Sequence, residues 1–265
     1  SARRAPRVRG GDPITGDRYY SKEFAEREWQ HMWKRVWHVG GRTAQLEEPG
    51  DFIVHNFRHE SVIMIKQADG SIRAFYNVCM HRGNRLVAVE SGSITKALSC
   101  SYHGWKWGLD GGLQDVQDPD DFPQGNPCGK LKLVEIPCAV WGGFVWFNMD
   151  PNCASLQDYL GPVAEMLAPY SMDEMVRVMY LTAEVNCNWK IIRDNFNESY
   201  HLPTLHPELA TFINDDYTDT IFEMLPNGHA RMLMKGCEPS ARSPDADKIL
   251  PPLDDMMRQW ALDPK

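Results

Sequence analysis

Apolar and polar positions divide the chain into three parts with different patterns. A helical spacing of apolar residues follows Ser21, which can cap the helix, and ends before Gly40 and Gly41. From residue 50 to residue 149 the apolar residues come in short β-type runs, with turn signals at 68–70 and 110–111. A helical pattern returns after Pro151. The pattern therefore predicts a small antiparallel β domain between two segments that contain helices.

Charge and cysteine content narrow the class of protein. The net charge of −8 comes from 28 Lys and Arg against 36 Asp and Glu, and it disfavours nucleic acid as the main partner, because phosphate binding needs clustered cations. No apolar run has the length of a membrane span, and no apolar segment follows the charged N-terminus, so we expect neither a membrane segment nor a signal peptide. Seven cysteines spread over the chain indicate free thiols in a reducing compartment, which predicts a cytoplasmic protein.

Two cysteine–histidine pairs stand at predicted turns. Cys79 and His81 have the spacing C-x-H, and Cys100 and His103 have the spacing C-x2-H. Two thiolates and two imidazoles can hold one tetrahedral zinc ion, or a [2Fe–2S] cluster with the cysteines on one iron and the histidines on the other. Zinc fingers usually place both cysteines before both histidines, whereas each loop here supplies one of each. The order favours the cluster, and a zinc-stabilised binding module stays the alternative.

With "HRGN" after the first pair and "YHGW" across the second, the pattern closely resembles a Rieske [2Fe–2S] domain. The resemblance implies four cluster ligands: Cys79, His81, Cys100 and His103. Gly83 and Gly104 are expected to let backbone N–H groups reach the cluster sulfides, and Trp105 and Trp107 to pack beneath the second loop. Imidazole ligands raise the reduction potential to about −150 to +300 mV, against about −400 mV for all-cysteine plant-type clusters.

A second group of polar residues lies in "NWKIIRDNFNESYHLPTLHPEL", residues 188–209. The spacing predicts an amphipathic helix on which Asp194, Glu198 and His201 form a polar stripe at i, i+4 and i+7. Pro203 is expected to end this helix, so that His206 can turn back toward His201. Two converging histidines and a carboxylate from elsewhere make the facial triad of non-haem Fe(II) oxygenases. The alternative is an exposed acidic face that ends in two surface histidines.

Together the two motifs make nearly the whole chain resemble the α subunit of Rieske non-haem iron oxygenases, which include aromatic-ring-hydroxylating dioxygenases, monooxygenases and demethylases. The resemblance implies that His201 and His206 bind a mononuclear Fe(II) ion. It also implies that Glu198, three residues before the first of these histidines, bridges the cluster of one subunit to the iron of its neighbour. The usual residue at that position is Asp, and Glu occurs among relatives that act on quaternary ammonium compounds. Asp194 is expected at the pocket wall, as a second candidate catalytic residue.

The resemblance further implies an α+β fold, in which an antiparallel β Rieske domain is inserted in, or adjacent to, a catalytic domain whose antiparallel sheet is flanked by helices (helix-grip, START-like). We expect 1–40 to form an arm and helix that pack with the catalytic domain, 41–152 to form the Rieske domain, and 153–265 to begin the catalytic domain. Electrons are expected from NADH or NADPH through a flavin reductase, a ferredoxin or both. The expected assembly is a homotrimer or an α3β3 complex.

The family's third iron ligand has no counterpart in the motif. It is usually an Asp far downstream of the two histidines, whereas Asp215, Asp216 and Asp219 are close to them only in sequence. We therefore expect that this sequence, which ends at Lys265, is an incomplete part of the subunit. The predicted function is O₂-dependent hydroxylation of an organic substrate, by default an aromatic one. The alternatives are a monooxygenase or demethylase for a quaternary ammonium or N-methyl substrate, and an electron carrier without a working iron site.

Overall fold

The computed structural model describes residues 13–211, 213–214, 216, 219–236 and 240–241. The chain divides into two compact units. One unit runs from Glu26 to Leu181, and the other combines the residues up to Ala25 with those from Thr182 onward. Each unit is described by itself below. The domain limits expected from the sequence stay a prediction.

The unit from Glu26 to Leu181 is built mainly from antiparallel strands. Its strands are β1 (Trp37–Arg42), β2 (Asp51–Phe57), β3 (Glu60–Lys66), β4 (Ile72–Tyr76), β5 (Ser91–Ser93), β6 (Leu98–Ser99), β7 (Lys106–Trp107), β8 (Leu113–Asp115), β9 (Glu135–Ile136), β10 (Cys138–Trp141) and β11 (Phe144–Asn148). They pair in the orders β5-β2-β3-β4-β9, β6-β7-β8 and β1-β11-β10. The two predicted hairpins are confirmed as β3–β4 and β7–β8.

Strand β3 is buried on both faces and separates two cores. Ile63 and Ile65 point into a core that also holds Cys79 and Cys100 of the paired loops. Val62 and Met64 alternate with them and point into a second core, which contains Val145, Phe147 and Trp29. Because side chains along a strand alternate between the two faces, the four-residue apolar run serves both cores. Cys79 and Cys100 therefore pack in the same core as β3, the most deeply buried strand of this unit.

The run 51–66 contains a turn that the sequence pattern hides. β2 and β3 form a hairpin in which Phe57 pairs with Glu60, so the chain reverses at Arg58 and His59. Arg58 takes the left-handed conformation, with φ 54°, although it is not a glycine. Without a Gly, Asn or Asp at this turn, the run reads as one β-type segment.

The predicted N-terminal helix is divided into shorter pieces. The helices up to residue 170 are α1 (Asp17–Tyr20), α2 (Lys22–Glu28), a π-helix (Trp29–Trp33), α3 (Leu156–Leu160) and α4 (Pro162–Leu167), with short 3-10 turns elsewhere. Ser21 separates α1 from α2, and its hydroxyl accepts the N–H of Phe24 at 3.1 Å, which confirms its capping role. The chain is already extended from Trp37, so the prediction that the helix continues to Gly40 was wrong for its last residues.

From Thr182 onward, the described part of the other unit contains two short α-helices and two pairs of short strands. These are α5 (Trp189–Asn195), α6 (Leu202–Leu205), β12 (Ile213–Asn214), β13 (Ile221–Met224), β14 (Ala230–Leu233) and β15 (Lys235–Gly236). β12 pairs with β15 and β13 with β14, both antiparallel. All pairings between named strands in the described residues are therefore antiparallel, as the predicted α+β class requires.

Candidate metal centres

The two Cys-His loops are built alike. In the first loop the N–H of Cys79 donates to the Asn84 carbonyl at 2.7 Å, and the N–H of Gly83 donates back to the Cys79 carbonyl at 3.0 Å. The second loop repeats both bonds: the N–H of Cys100 donates to the carbonyl five residues on at 2.8 Å, and the N–H four residues on donates back at 2.9 Å. The same two backbone bonds thus close both loops, with Trp105 at the position that Asn84 has in the first loop.

Gly83 and Gly104 close the two loops. Both adopt positive φ, +75° and +72°, which closes each loop in a conformation that favours glycine. Their N–H groups are used in those turn bonds to the cysteine carbonyls. The backbone N–H groups that bond the sulfurs belong instead to His81 for Cys79, and to Tyr102 and His103 for Cys100. That backbone N–H groups reach the cluster sulfides stays a prediction.

The two cysteine sulfurs lie within hydrogen-bonding reach of each other in the buried core. Burial raises the pKa of the Cys79 thiol above its ordinary value. Burial also acts to raise the pKa of Cys100, but backbone N–H groups donate to its sulfur and outweigh burial, so the net pKa lies below the ordinary value. A buried thiolate beside a second thiol is an arrangement that a cation stabilises.

The two histidines face each other at the outer side of the same loops. The rings of His81 and His103 have centroids 4.7 Å apart at an interplanar angle of 67°. Nδ1 of His103 is buried and has no hydrogen-bond partner among the residues that the structure describes. Burying an imidazole nitrogen without a partner is costly, and a metal ion would satisfy it. Burial, His103 and Arg82 lower the pKa of His81, which favours the neutral, metal-binding form of the ring.

Trp105 and Trp107 lie beneath the loops, as expected, with exposures of 6% and 0%. Trp105 also stacks on the His81 ring, at 4.4 Å between centroids and 4° between planes. The indole N–H of Trp107 has no partner of normal hydrogen-bond geometry in the described structure, and the Cys79 sulfur is its polar neighbour. Trp105 thus fixes the His81 ring, and Trp107 places a buried N–H donor beside the Cys79 sulfur.

The four side chains of the loops come together as two pairs. Across the described residues, no three His, Cys, Asp or Glu side chains come together closely enough to hold one metal ion. A four-ligand zinc site needs such a group, whereas a [2Fe–2S] cluster needs only two ligands on each of two separated irons. A cysteine pair inside and a histidine pair outside fit the two-iron arrangement.

The segment with the second histidine pair differs from the predicted continuous helix. Helix α5 ends at Asn195, and the short helix α6 begins only at Leu202. The predicted stripe of Asp194, Glu198 and His201 on one helix was therefore wrong. Pro203 lies in the first turn of α6, where a missing N–H costs nothing, so it starts a helix rather than ending one.

His201 and His206 converge because they flank this single-turn helix. His201 is the N-cap residue of α6 and His206 is its C-cap residue, with its N–H bonded to the Leu202 carbonyl at 2.9 Å. The ring centroids of the two histidines are 5.5 Å apart, at an interplanar angle of 73°. A one-turn helix thus brings together two side chains that would diverge on a continuous helix.

Each of these histidines has a carboxylate at Nδ1. Glu198 bonds Nδ1 of His201 through one oxygen, and its other oxygen accepts the N–H groups of Tyr200 at 2.5 Å and His201 at 3.3 Å. Partial burial acts to raise the pKa of Glu198, but these hydrogen bonds outweigh it and hold the net pKa below the ordinary value. Nδ1 of His206 lies 3.7 Å from Oε1 of Glu208. In His201, where Nδ1 bonds Glu198, Nε2 is the nitrogen that would bind a metal ion, oriented by the carboxylate behind it.

Asp194 lies apart from this pair and bonds another element. Its Oδ2 accepts the phenol O–H of Tyr19 at 2.8 Å, and Asn188 donates to the Tyr19 carbonyl at 3.0 Å, so both contacts hold α1 against α5. The hydrogen bond to Asp194 raises the pKa of Tyr19. Asp215 lies outside the described residues. Asp216 and Asp219 are described, and neither joins two other potential metal ligands of the described residues.

Comparison with known proteins identifies the family. Residues 36–137 match the Rieske [2Fe-2S] domain, and residues 172–261 match the ring hydroxylating alpha subunit (catalytic domain). The chain is 31% identical over 237 residues to the carnitine monooxygenase oxygenase subunit of Acinetobacter pittii, covering 86% of this chain and 62% of that protein. It is 31% identical over 208 residues to the glycine betaine monooxygenase oxygenase subunit of Pseudomonas aeruginosa, covering 76% and 47%. The crystal structure of the quaternary ammonium Rieske monooxygenase CntA with an inhibitor superposes with a TM-score of 0.74 and 29% identity, covering 83% and 60%.

The chain belongs to the Rieske non-haem iron oxygenase α-subunit family. It spans 47–62% of the length of the three relatives named above. Family membership confirms the predicted α+β class with antiparallel sheets. Within the described residues, no helix is both long enough and apolar enough to cross a membrane.

Three contacts in this family member were not predicted from its sequence. Asn84 lies within the quoted "HRGN" motif, but nothing in the sequence shows that its side chain reaches Cys100, at 3.6 Å. The stacking of Trp105 on His81 depends on two loops that meet only in the fold. Glu208 follows His206 by two residues, and this spacing is the one sequence signal that could have suggested its contact with the histidine.

Proposed function

We propose that this chain is part of the terminal oxygenase component of a Rieske monooxygenase that oxidises a quaternary ammonium compound. Both sequence relatives named above are oxygenase subunits for carnitine or glycine betaine, and the structural relative is a quaternary ammonium monooxygenase. These relatives favour the quaternary ammonium alternative over the aromatic substrate expected by default. Glu198 at the bridge position agrees with that choice.

The residues of this chain fit both metal groups of such an enzyme. Cys79 and Cys100 would hold one iron of a [2Fe–2S] cluster and His81 and His103 the other, while His201 and His206 would bind the mononuclear iron. When bound, the cluster supplies single electrons and the mononuclear iron activates O₂. Glu198 holds the His201 ring through Nδ1, so it fixes the orientation in which Nε2 is presented. The roles of Glu198 as an electron bridge and of Asp194 as a catalytic residue stay predictions.

The partners follow from the same proposal. Electrons would come from NADH or NADPH through a flavin reductase, with or without a ferredoxin. Because Glu198 is expected to serve the cluster of a neighbouring subunit, the working unit would be an oligomer, and the family resemblance implies a trimer, either α3 or α3β3. The carboxylate that completes the mononuclear site would come from sequence beyond the described residues.

One observation carries this proposal: two histidines flank a single-turn helix, each with a carboxylate at Nδ1, in a chain that also contains the paired Cys-His loops. An electron carrier needs the loops alone. The histidine pair with its supporting carboxylates is the part that an oxygenase requires.

Metal content tests the metal assignment in the protein that contains this chain. We expect about three irons per chain, two in the cluster and one mononuclear, and a Rieske-type EPR signal after dithionite reduction. The variant His201→Ala should lose one iron of the three and all product, while the EPR signal remains. His31, an exposed histidine in the π-helix, offers the matched control His31→Ala, which should keep all the iron. Two irons per chain in both the unaltered protein and His201→Ala would show an electron carrier. A colourless zinc protein would refute both metal assignments.

Substrate-dependent O₂ uptake tests the substrate class. Carnitine and glycine betaine should stimulate O₂ consumption that matches the amount of product formed, in the presence of NADH or NADPH and a reductase. Naphthalene and benzoate should not. Oxidation of the aromatic compounds without turnover of either quaternary ammonium compound would refute the proposed substrate class while leaving the metal assignment in place.

A further inference from the structure

Asn84 joins the two Cys-His loops. Its backbone carbonyl accepts the N–H of Cys79 at 2.7 Å, within the first loop. Its side-chain nitrogen lies 3.6 Å from the sulfur of Cys100 and 3.2 Å from the hydroxyl oxygen of Ser101, both in the second loop. Asn84 therefore bonds the backbone of Cys79 through its carbonyl and the sulfur of Cys100 through its side-chain amide.

The surroundings fix the orientation of the Asn84 amide. The side-chain nitrogen also lies 3.0 Å from the carbonyl oxygen of Arg85, which can only accept a hydrogen bond. An amide oxygen in that place would face another oxygen with no proton between them. The NH₂ group must therefore occupy this side, and its two protons are shared among Arg85, Ser101 and Cys100.

The second loop has no equivalent amide. Trp105 takes the position in the second loop that Asn84 has in the first, because its carbonyl accepts the N–H of Cys100. Its side chain stacks on His81. The two sulfurs are thus placed in different surroundings. Cys100 receives an amide donor, whereas the indole N–H near Cys79 makes no hydrogen bond of normal geometry.

We propose that Asn84 is a positioning residue that acts through Cys100 to raise the reduction potential of the cluster. The inference rests on the proposed cluster. Reduction adds one electron to the iron–sulfur unit and makes its sulfurs more negative, so an N–H donor to a ligand sulfur stabilises the reduced state more than the oxidised state. Removing the donor should make the cluster harder to reduce, and the electron supply to the mononuclear site would then start from a lower potential.

The variant Asn84→Leu tests the inference, because leucine has a similar volume, cannot donate and leaves the backbone bond to Cys79 in place. The measurement is an EPR-monitored redox titration of the metal-loaded protein. We expect the ratio of reduced to oxidised cluster at a fixed potential to fall roughly tenfold, which is a lowering of the midpoint by about 59 mV for a one-electron couple.

Ser101→Ala is the matched control. It removes a competing acceptor of the same amide and leaves the donor to Cys100, so the midpoint should stay or rise. A midpoint that is unchanged in Asn84→Leu would overturn the inference. An equal lowering in both variants would also overturn it, because the effect would then come from general loosening of the loops.

A second measurement does not depend on any variant. In the unaltered protein labelled with ¹⁵N-asparagine, pulsed EPR of the reduced cluster should show coupling to a labelled side-chain nitrogen, and its absence would overturn the inference. A Rieske signal with an unmoved midpoint would refute the role of Asn84 alone. Absence of any Rieske signal from the unaltered, metal-loaded protein would refute the proposed function, and this inference with it.

Discussion

The turn between β7 and β8 gives a direct test of how the loop core is packed. Gly111 has φ +78°, and a Cβ placed on it would lie 2.6 Å from Cε1 of Phe75. The Phe75 ring is 1% exposed and belongs to the same core as Cys79 and Cys100. The substitution Gly111→Ala therefore forces an L-residue into the left-handed region and pushes a methyl group against a ring that is enclosed by the core.

The expected loss has two parts. A left-handed conformation costs an L-residue about 1–2 kcal/mol, and overpacking a close-packed core by a methyl group costs about 1–3 kcal/mol. Gly111→Ala should therefore lower the free energy of unfolding by about 2–5 kcal/mol. Gly129 separates the two parts, because it has φ +74° but no atom within 4 Å of an added Cβ. Gly129→Ala should show the conformational cost alone, about 1–2 kcal/mol.

Urea unfolding followed by tryptophan fluorescence measures both variants, and the visible absorbance of the metal-loaded protein reports the loops directly. Gly111→Ala should lose stability and visible absorbance at a lower urea concentration than Gly129→Ala. Equal losses in the two variants would refute the packing of Gly111 against Phe75. A larger loss in Gly129→Ala would contradict the contacts assigned to both glycines.

Three further predictions concern buried polar groups and the bridge. Asn77 is 2% exposed, and its side chain bonds the carbonyl and the N–H of Val87 at 2.7 and 2.9 Å. Asn77→Leu should therefore lower the free energy of unfolding by about 2–4 kcal/mol in urea melts, and no change would contradict this pairing. Burial lowers the pKa values of His38 and His55 below 6.5, so the unfolded state binds more protons than the folded state. Stability should therefore fall as the pH drops through 6.5, and the melting temperature of His55→Leu should depend less steeply on pH. Glu198→Gln should keep both metals by iron analysis but slow turnover, and loss of iron would instead assign it a metal-holding role.

The loops were predictable because their information is local. Each Cys-His pair, its glycine and the turn bonds lie within six consecutive residues, so spacing alone marks each loop, although not that the two loops meet. The hairpins at 68–70 and 110–111 carry Asp-Gly turn signals and were recognised for the same reason. By contrast, the reversal at Arg58 uses a positive φ without glycine, and no local pattern marks it.

The second histidine pair was predicted for a partly wrong reason. Sequence spacing favoured one helix from Asn188 to His201 with a break at Pro203, whereas the structure ends α5 at Asn195 and begins α6 at Leu202. Proline is compatible with both readings, because it stops a helix from within and starts one at its first turn. Which effect applies depends on where the preceding helix ends, and the spacing of apolar residues does not determine that point.

The two centres present opposite imidazole nitrogens, and the chain geometry explains why. Nδ1 lies closer to the backbone than Nε2 does, and in the tight Cys-His loops Nδ1 of His103 is the buried atom without a protein partner. At the helix α6 pair, carboxylates occupy the Nδ1 side of both rings, which leaves the longer reach of Nε2 for a metal ion. A short reach suits the proposed cluster, whose four expected ligands lie on these two loops. A long reach suits the proposed mononuclear site, which must meet a further carboxylate, and among the described residues no third potential ligand joins the two histidines.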